Sequence, residues 1–276
     1  MKQIYSILLM TLLVCGCQEK TADKITILHT NDTHSHIEPE KNRGGGLANR
    51  AALIEHEKEL AGAKNTLLLD CGDFSQGSLY YNVFKGAFEI DAMNALGYDA
   101  GTLGNHEFDF GLENLAQLVK RANFPIVCAN LDFTGTVCEG VIPPFVTTEC
   151  GGIKVGIFGL SPKLEGLVLK EHYQGVKYRS PIEAAQESAD TLRKEGCTIV
   201  ICLSHLGWNI PGTINDQQLA IETSGIDIIL GGHSHDLFEA PVRYKNKEGK
   251  EVVIQQTGKY GRNIGKIVVE LEEKPV

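Results

Sequence analysis

The chain has 276 residues, 42% of them hydrophobic and 22% charged, with a formal net charge of −9. That is enough apolar material for one large core or two modest ones. The acidic balance leaves no basic footprint for DNA or RNA polymers and no polybasic patch for a membrane surface, so a small anionic substrate would have to be held by local cations, with bound metals the obvious source.

Residues 1–17 stand apart from the fold. Lys2 precedes an apolar stretch from Ile4 to Val14, and Val14-Cys15-Gly16-Cys17 closes it with small residues, the three-part pattern of a secretory signal. The stretch is too short for a bilayer core of roughly 30 Å, which takes about 20 helical residues. Its Val-Cys-Gly-Cys ending resembles a bacterial lipobox. This implies a signal peptide over 1–16, cleavage before Cys17, lipidation of that thiol, and a tether over 17–23 that anchors the protein to a membrane without crossing it. The expected location is that of an exported lipoprotein, periplasmic or on the cell surface. Of the later cysteines, Cys138 and Cys150 flank a Pro- and Val-rich segment and are expected to close a small loop in an oxidising compartment. Cys202 lies in an apolar run and reads as a buried free thiol. No Cys-x-x-Cys pair suggests a thiolate zinc site or a redox motif.

From Lys24 strand and helix patterns alternate. Ile25 to His29 reads as a strand, Leu47 to Leu60 as a helix, and Thr66 to Leu69 as a strand; Glu89 to Leu96 and Leu112 to Ala122 read as helices, with Pro125 to Ala129 a strand. Cys150-Gly151-Gly152-Ile153 is a hairpin signal leading into a strand over Lys154 to Leu160. Ser180-Pro181-Ile182-Glu183 is a helix start, with Ser as N-cap, Pro at the first helical position and Glu three residues after the cap; that helix should stop at Gly196. Strands at Thr198 to Leu203 and Ile226 to Leu230 flank a helix near Asp216 to Thr223. Val242 to Tyr244, Val252 to Gln256 and Ile267 to Leu271 look like antiparallel strands around a turn at Asn246 to Gly249. No repeat, linker or composition shift divides residues 24–276, so they are expected to form one domain, an α/β layered sandwich with several antiparallel strands.

Five polar clusters follow the apolar runs, where ligands bind at the carboxyl edge of α/β sheets. Asp32 and His34 end the first strand; spacing of two in extended chain would turn both side chains to one side, as a shared metal requires. A turn capped by Asp32 beside a surface His34 is an equal reading. Asp73 follows the next strand, where Gly72 and Gly77 would let the backbone approach a ligand. A carboxylate is a natural bridge between two cations; Asp70 competes, but its place at the strand end suits a structural hydrogen bond better. In Gly104-Asn105-His106-Glu107, Asn105 offers a neutral carbonyl ligand and His106 is left free to meet a substrate, with Asp109 placed to hold its tautomer. A capping turn is the plainer reading of a His beside an Asn, and it yields here because Asp109 and Gly111 complete the pattern. His205, His233 and His235 close the set, again at strand ends. His29 and His36 are candidates for supporting the first cluster, whereas His56 reads as solvated and His172 has no constellation around it.

Residues Ile25 to Ile37, Gly72-Asp73, Tyr98 to Asp109, Ser204-His205 and Gly232-His233-Ser234-His235 resemble, in order, the motifs of bacterial 5′-nucleotidases within the calcineurin-like metallophosphoesterases. The resemblance covers essentially all of 24–270. It implies a four-layer αββα sandwich with mixed sheets and two divalent metal ions, zinc, manganese or iron. It further implies that Asp32, His34, Asp73 and His235 hold one ion, and that Asp73, Asn105, His205 and His233 hold the other. His106, oriented by Asp109, would act near the phosphoryl group and leaving oxygen. The implied activity is release of phosphate from 5′-nucleotides or related phosphoesters. Members of that family carry a C-terminal domain that reads the nucleoside; the expectation is that a separate chain supplies it here, or that the substrate is a small phosphomonoester or cyclic phosphodiester. Two alternatives accompany this reading, a thiosulfate-ester hydrolase on the same scaffold and a non-catalytic metal-binding docking subunit.

Overall fold

Apolar residues alternate between two faces in the strands, and both faces are covered, which is why the strands read as continuous hydrophobic runs. The computed structural model describes residues 22–42 and 44–271; the expected leader over 1–16 and residues 17–21 of the expected tether lie outside them. Among the described residues no helix is long and apolar enough to cross a membrane. The chain runs through β1 (Lys24–Thr30), α1 (Leu47–Ala61), β2 (Thr66–Asp70), α2 (Leu79–Phe84), α3 (Ala87–Leu96), β3 (Ala100–Thr102), α4 (Gly111–Arg121), β4 (Ile126–Val127) and β5 (Leu131–Asp132). A hairpin follows, β6 (Phe145–Cys150) and β7 (Ile153–Leu160), then β8 (Lys177–Tyr178), α5 (Pro181–Lys194), β9 (Ile199–Ser204), α6 (Asp216–Glu222) and β10 (Ile228–Leu230). The last strands are β11 (Val242–Lys245), β12 (Glu251–Gln255) and β13 (Gly265–Glu270).

Two sheets result, ordered β13-β1-β2-β3-β4 and β11-β12-β10-β9-β7-β6, with β5 and β8 forming a small separate pair. In each large sheet the central strands are parallel and the antiparallel partners β13, β6 and β11 sit at the edges. Ile25, Ile27, Leu67 and Leu69 of the first sheet meet Val155, Ile157, Ile201 and Leu203 of the second in one buried layer. The opposite faces are also covered. Leu28 and Leu68 pack under Ile54, Ile90, Met93 and Leu115 of α1, α3 and α4, and Phe158, Val200 and Ile229 pack under Ala185, Leu192 and Leu219 of α5 and α6. This is the expected four-layer αββα sandwich. Each buried Leu or Ile side chain contributes about 1.5–3 kcal/mol, so the layer between the sheets holds their carboxyl edges side by side.

Local signals fared well where the chemistry is local. Gly151 (φ 59) and Gly152 (φ 77) form the two-residue turn between β6 and β7, as a hairpin with two left-handed central residues demands. Ser180 caps α5 through its side chain with Pro181 at the helix start. Helix α2, capped by Ser78, went unread. The final strands depart from expectation: β12 is antiparallel to β11 but parallel to β10, and β13 leaves them to pair with β1, Lys24 opposite Glu270. The expected Cys138–Cys150 bridge is absent, and all six described cysteines are free and buried. Cys138 packs in the helix-side core and Cys150 between the sheets, so each thiol serves as a small apolar filler. Burial pushes both thiols up to about 11.

Candidate metal centre

The carboxyl ends of β1, β2, β3, β9 and β10 converge where the two sheets meet, and each releases one polar cluster there. Asp32 is fully buried; its Oδ1 lies 3.3 Å from His235 Nε2 and 3.7 Å from both His34 Nε2 and His205 Nε2. Its Oδ2 accepts hydrogen bonds from Asn31 Nδ2 at 2.6 Å and from the His233 backbone N–H at 3.0 Å. Asp73 Oδ2 stands 3.1 Å from His205 Nε2, and Asp73 Oδ1 accepts from the His106 backbone N–H at 2.9 Å. Three sets of side chains offer ligand atoms all within 4.8 Å of one another: Asp32, His34 and His235; Asp73, His205 and His233; and His34, Asp73 and His106. Asp73 and His34 each belong to two of these sets; of the two only Asp73 is a carboxylate, with an oxygen for each of two cations.

The expected reason for convergence was alternation along extended chain, and the structure corrects it. Asp32 (φ 50), His34 (φ 45), Asp73 (φ 52), His233 (φ 71) and His235 (φ 60) all adopt left-handed backbone. Such a conformation costs roughly 1–2 kcal/mol for a residue with a Cβ and clusters at functional sites that over-determine it. Tight kinks therefore turn these side chains inward. The glycines differ from expectation too. A Cβ at Gly72 would strike the Gly104 backbone and one at Gly77 the His34 carbonyl, so they let loop approach loop; a Cβ at Gly104 would overlap the Asp73 carboxylate.

The next cluster is a single turn of 3₁₀ helix over His106–Phe108 with Asn105 at its cap. With three residues per turn, successive side chains fan out by a third of a circle. Neighbours in sequence can thus serve three ends. Asn105 Oδ1 is buried without a hydrogen-bond partner. His106 is half-buried, and its Nδ1 meets Asp109 Oδ2 at 2.8 Å, as expected. Glu107, which sequence reasoning left without a role, turns into the protein.

The donor set fits a pair of divalent cations. Besides Asn105 Oδ1, His205 Nε2 is buried without hydrogen-bond geometry to any partner. His205 Nδ1 donates to the Cys71 carbonyl at 2.6 Å and His34 Nδ1 faces the Ser75 carbonyl at 3.3 Å. A carbonyl only accepts, so each imidazole carries its proton on Nδ1 and presents Nε2 to the centre, the arrangement that orients metal-binding histidines. Burial holds His34 below the usual imidazole range, against the pull of Asp73 and Asp32. Burial, with His205 nearby, brings His233 down to about 4. Burial would also lower His205, but the charges of Asp73 and Asp32 outweigh it and raise it to about 10. Burial pushes Asp73 up, yet the charges of His205, His106 and His34 leave it well below the carboxylate range. Two buried carboxylates thus create a demand for positive charge at this point. Oxygen and nitrogen donors without thiolate suit zinc, manganese or iron.

All nine residues singled out in the sequence lie in this cluster or against it. Asp70 takes the structural part expected of it, accepting from Thr30 Oγ1 at 2.6 Å and from the Gly72 N–H at 3.0 Å. His36 supports the site: its Nδ1 meets the His34 carbonyl at 2.9 Å and its ring stacks on Tyr260 at 3.8 Å. His29 instead faces Gln255 at 3.2 Å and is in none of the ligand sets. Asn31 and Tyr260 carried no separate signal. Asn31 ties Asp32 to the Gly258 carbonyl at 2.7 Å, and the Tyr260 N–H donates to the Asp32 carbonyl at 2.7 Å.

Comparison with known proteins gives a consistent result. The family described as Calcineurin-like phosphoesterase matches residues 25–237. A snake venom 5′-nucleotidase from Gloydius brevicauda is 34% identical over 277 residues, covering 91% of this chain and 46% of its own length. The crystal structure of a 5′-nucleotidase precursor from Thermus thermophilus superposes with a TM-score of 0.82 at 36% identity, covering 90% of this chain and 52% of that one. That of calcineurin-like phosphoesterase YfkN from Bacillus subtilis gives 0.76 at 31% identity, covering 91% and 86%. The chain spans about half the length of the curated 5′-nucleotidases it matches, from snake venom to human.

Proposed function

The chain belongs to the calcineurin-like phosphoesterases, and from that premise we propose that it is a two-metal phosphohydrolase releasing phosphate from 5′-nucleotides or related phosphoesters. The observation that carries this reading is the buried Asp73 carboxylate, whose oxygens lie among His205 and His233 on one side and near His34, a member of the Asp32 and His235 set, on the other. In this reading Asp32, His34, Asp73 and His235 would hold one cation, and Asp73, Asn105, His205 and His233 the other. Bound there, a pair of divalent cations would supply Lewis acidity toward the phosphoryl oxygens and a lowered pKa for an attacking water. The protein's own part is positional. Asn31 and the His233 N–H fix Asp32, and the Nδ1 bonds of His205 and His34 aim their Nε2 atoms. Asp109 holds His106 through Nδ1, leaving Nε2 to face the phosphoryl group and to protonate the departing oxygen. Burial alone would lower the His106 imidazole; the bond from Asp109 and the charge of Asp73 outweigh it and raise it, which favours the proton-carrying form such a step needs.

The proposal includes a nucleoside-reading surface supplied by polypeptide outside the described domain, because the curated relatives are about twice as long. It also includes export and anchoring at Cys17, on the strength of Val14-Cys15-Gly16-Cys17. Mass spectrometry of the mature protein should find a lipid-modified Cys17 as the first residue; an intact segment 1–16 or an unmodified thiol would remove the anchor. For the activity, the purified protein loaded with manganese or zinc should release phosphate from nucleotides, sugar phosphates or a phosphodiester and lose that activity to a chelator. Turnover of thiosulfate esters alone would move the substrate class, and no turnover with both metals bound would favour a docking subunit.

A further inference from the structure

The left-handed ligands differ in what holds them. The Asp32 N–H donates to the Gly72 carbonyl and the His34 N–H to the Asp73 carbonyl, both at 3.0 Å, and the His233 N–H donates to the Asp32 carboxylate. Asp73 is held by a side chain outside the ligand set. Glu107 is fully buried; its Oε2 accepts from the Asp73 N–H at 3.0 Å and the Gly104 N–H at 2.7 Å, and its Oε1 accepts from the Ser75 N–H at 3.0 Å. The Asp73 carboxylate returns a bond to the backbone N–H of His106, the residue beside Glu107. The two loops, from β2 and β3, are therefore laced in both directions by one carboxylate each.

We infer that Glu107 is the positioning residue of the metal centre: it sets the Asp73 carboxylate, and through it His106, before any metal arrives. Three backbone donors converge on this one side chain, and no other described side chain meets the Asp73 N–H. Without Glu107 three buried N–H groups would lack partners, and the left-handed Asp73 would be held only through its carbonyl, which accepts from the His34 N–H, and its carboxylate, which accepts from the His106 N–H. A carboxylate is required because both oxygens face donors; an amide would set its NH₂ against at least one N–H. The inference rests on the reading of Asp73 as the bridging ligand.

Two measurements on the full chain test it. In the metal-free wild type, the amide protons of Asp73, Ser75 and Gly104 should already exchange slowly and change little when manganese is added. Protection that appears only with metal would mean that the cations set Asp73, and would overturn the inference. In Glu107→Gln, kcat should fall by about 10–100-fold and manganese affinity by a similar factor, the range for residues that orient metal ligands, with KM little changed. The electron paramagnetic resonance signal of a coupled manganese pair should give way to that of isolated ions. Glu107→Gln that melts earlier yet keeps the coupled signal, metal affinity and kcat would reduce Glu107 to a structural role and overturn the inference. If Glu107→Gln does not fold, the wild-type amide pattern alone decides. A wild type with no coupled signal would sink the two-metal reading, while the amide test would still report on what holds Asp73.

Discussion

Asp73→Asn is expected to abolish phosphate release and to weaken retention of both cations at once. The substitution keeps the side chain's shape but removes a buried charge that lies within ligand distance of His34 on one side and of His205 and His233 on the other. It also leaves one oxygen where two are needed, because Asp73 Oδ1 accepts from the His106 N–H while Oδ2 faces His205 Nε2. Residues that merely orient metal ligands cost about 10–100-fold when changed, so loss of a shared ligand should exceed the upper end of that range. Metal analysis after gel filtration and a phosphate-release assay on the same sample are sufficient. Loss of one cation with the other retained would assign Asp73 to a single site, and unchanged activity would remove it from the centre.

His106→Ala should lower kcat by about 10²–10⁴-fold, the usual contribution of a positioned acid or base, while both metals stay bound. The geometry makes this a sharp test, since His106 has a nitrogen within 4.8 Å of His34 and Asp73 and so is close enough to be a ligand. Its Nδ1 is committed to Asp109 and its ring is partly exposed, which is why the substrate-facing role is expected. Metal content that falls with activity would make it a ligand instead. Activity toward substrates with good leaving groups should suffer least, because they need little proton donation.

The polar cluster was legible because most of its members follow apolar runs, and the sheet geometry does the rest. Asp32, Asp73, Asn105, His205 and His233 need no long-range information to be placed at a carboxyl edge. What holds them was less legible. Glu107 stands in the most specific motif of the chain, yet two of its three partners lie 32 and 34 residues earlier at Ser75 and Asp73, and no spacing rule reports a side chain that bonds to another loop's backbone. The left-handed ligands were misjudged for a related reason: a spacing of two fits extended chain and a kinked loop alike. The destination of β13 was hidden because alternation along Gly265 to Glu270 tells which face is apolar and not which sheet offers an edge. Cys138 and Cys150 looked like partners only while the core between them was unknown.

The pairing of β13 with β1 places the two ends of the described domain together: Lys24 lies opposite Glu270, and the Leu271 N–H donates to the Asp23 carbonyl at 2.9 Å. Both ends emerge at the foot of β1, whose seven residues at about 3.3 Å each separate them from the centre by roughly 20 Å. A tether attached at the start of β1 would join the domain at the end away from the metal centre. Joining the two ends and reopening the chain at an exposed turn such as Lys247 to Gly249 should therefore give a circular permutant with its metal centre unchanged.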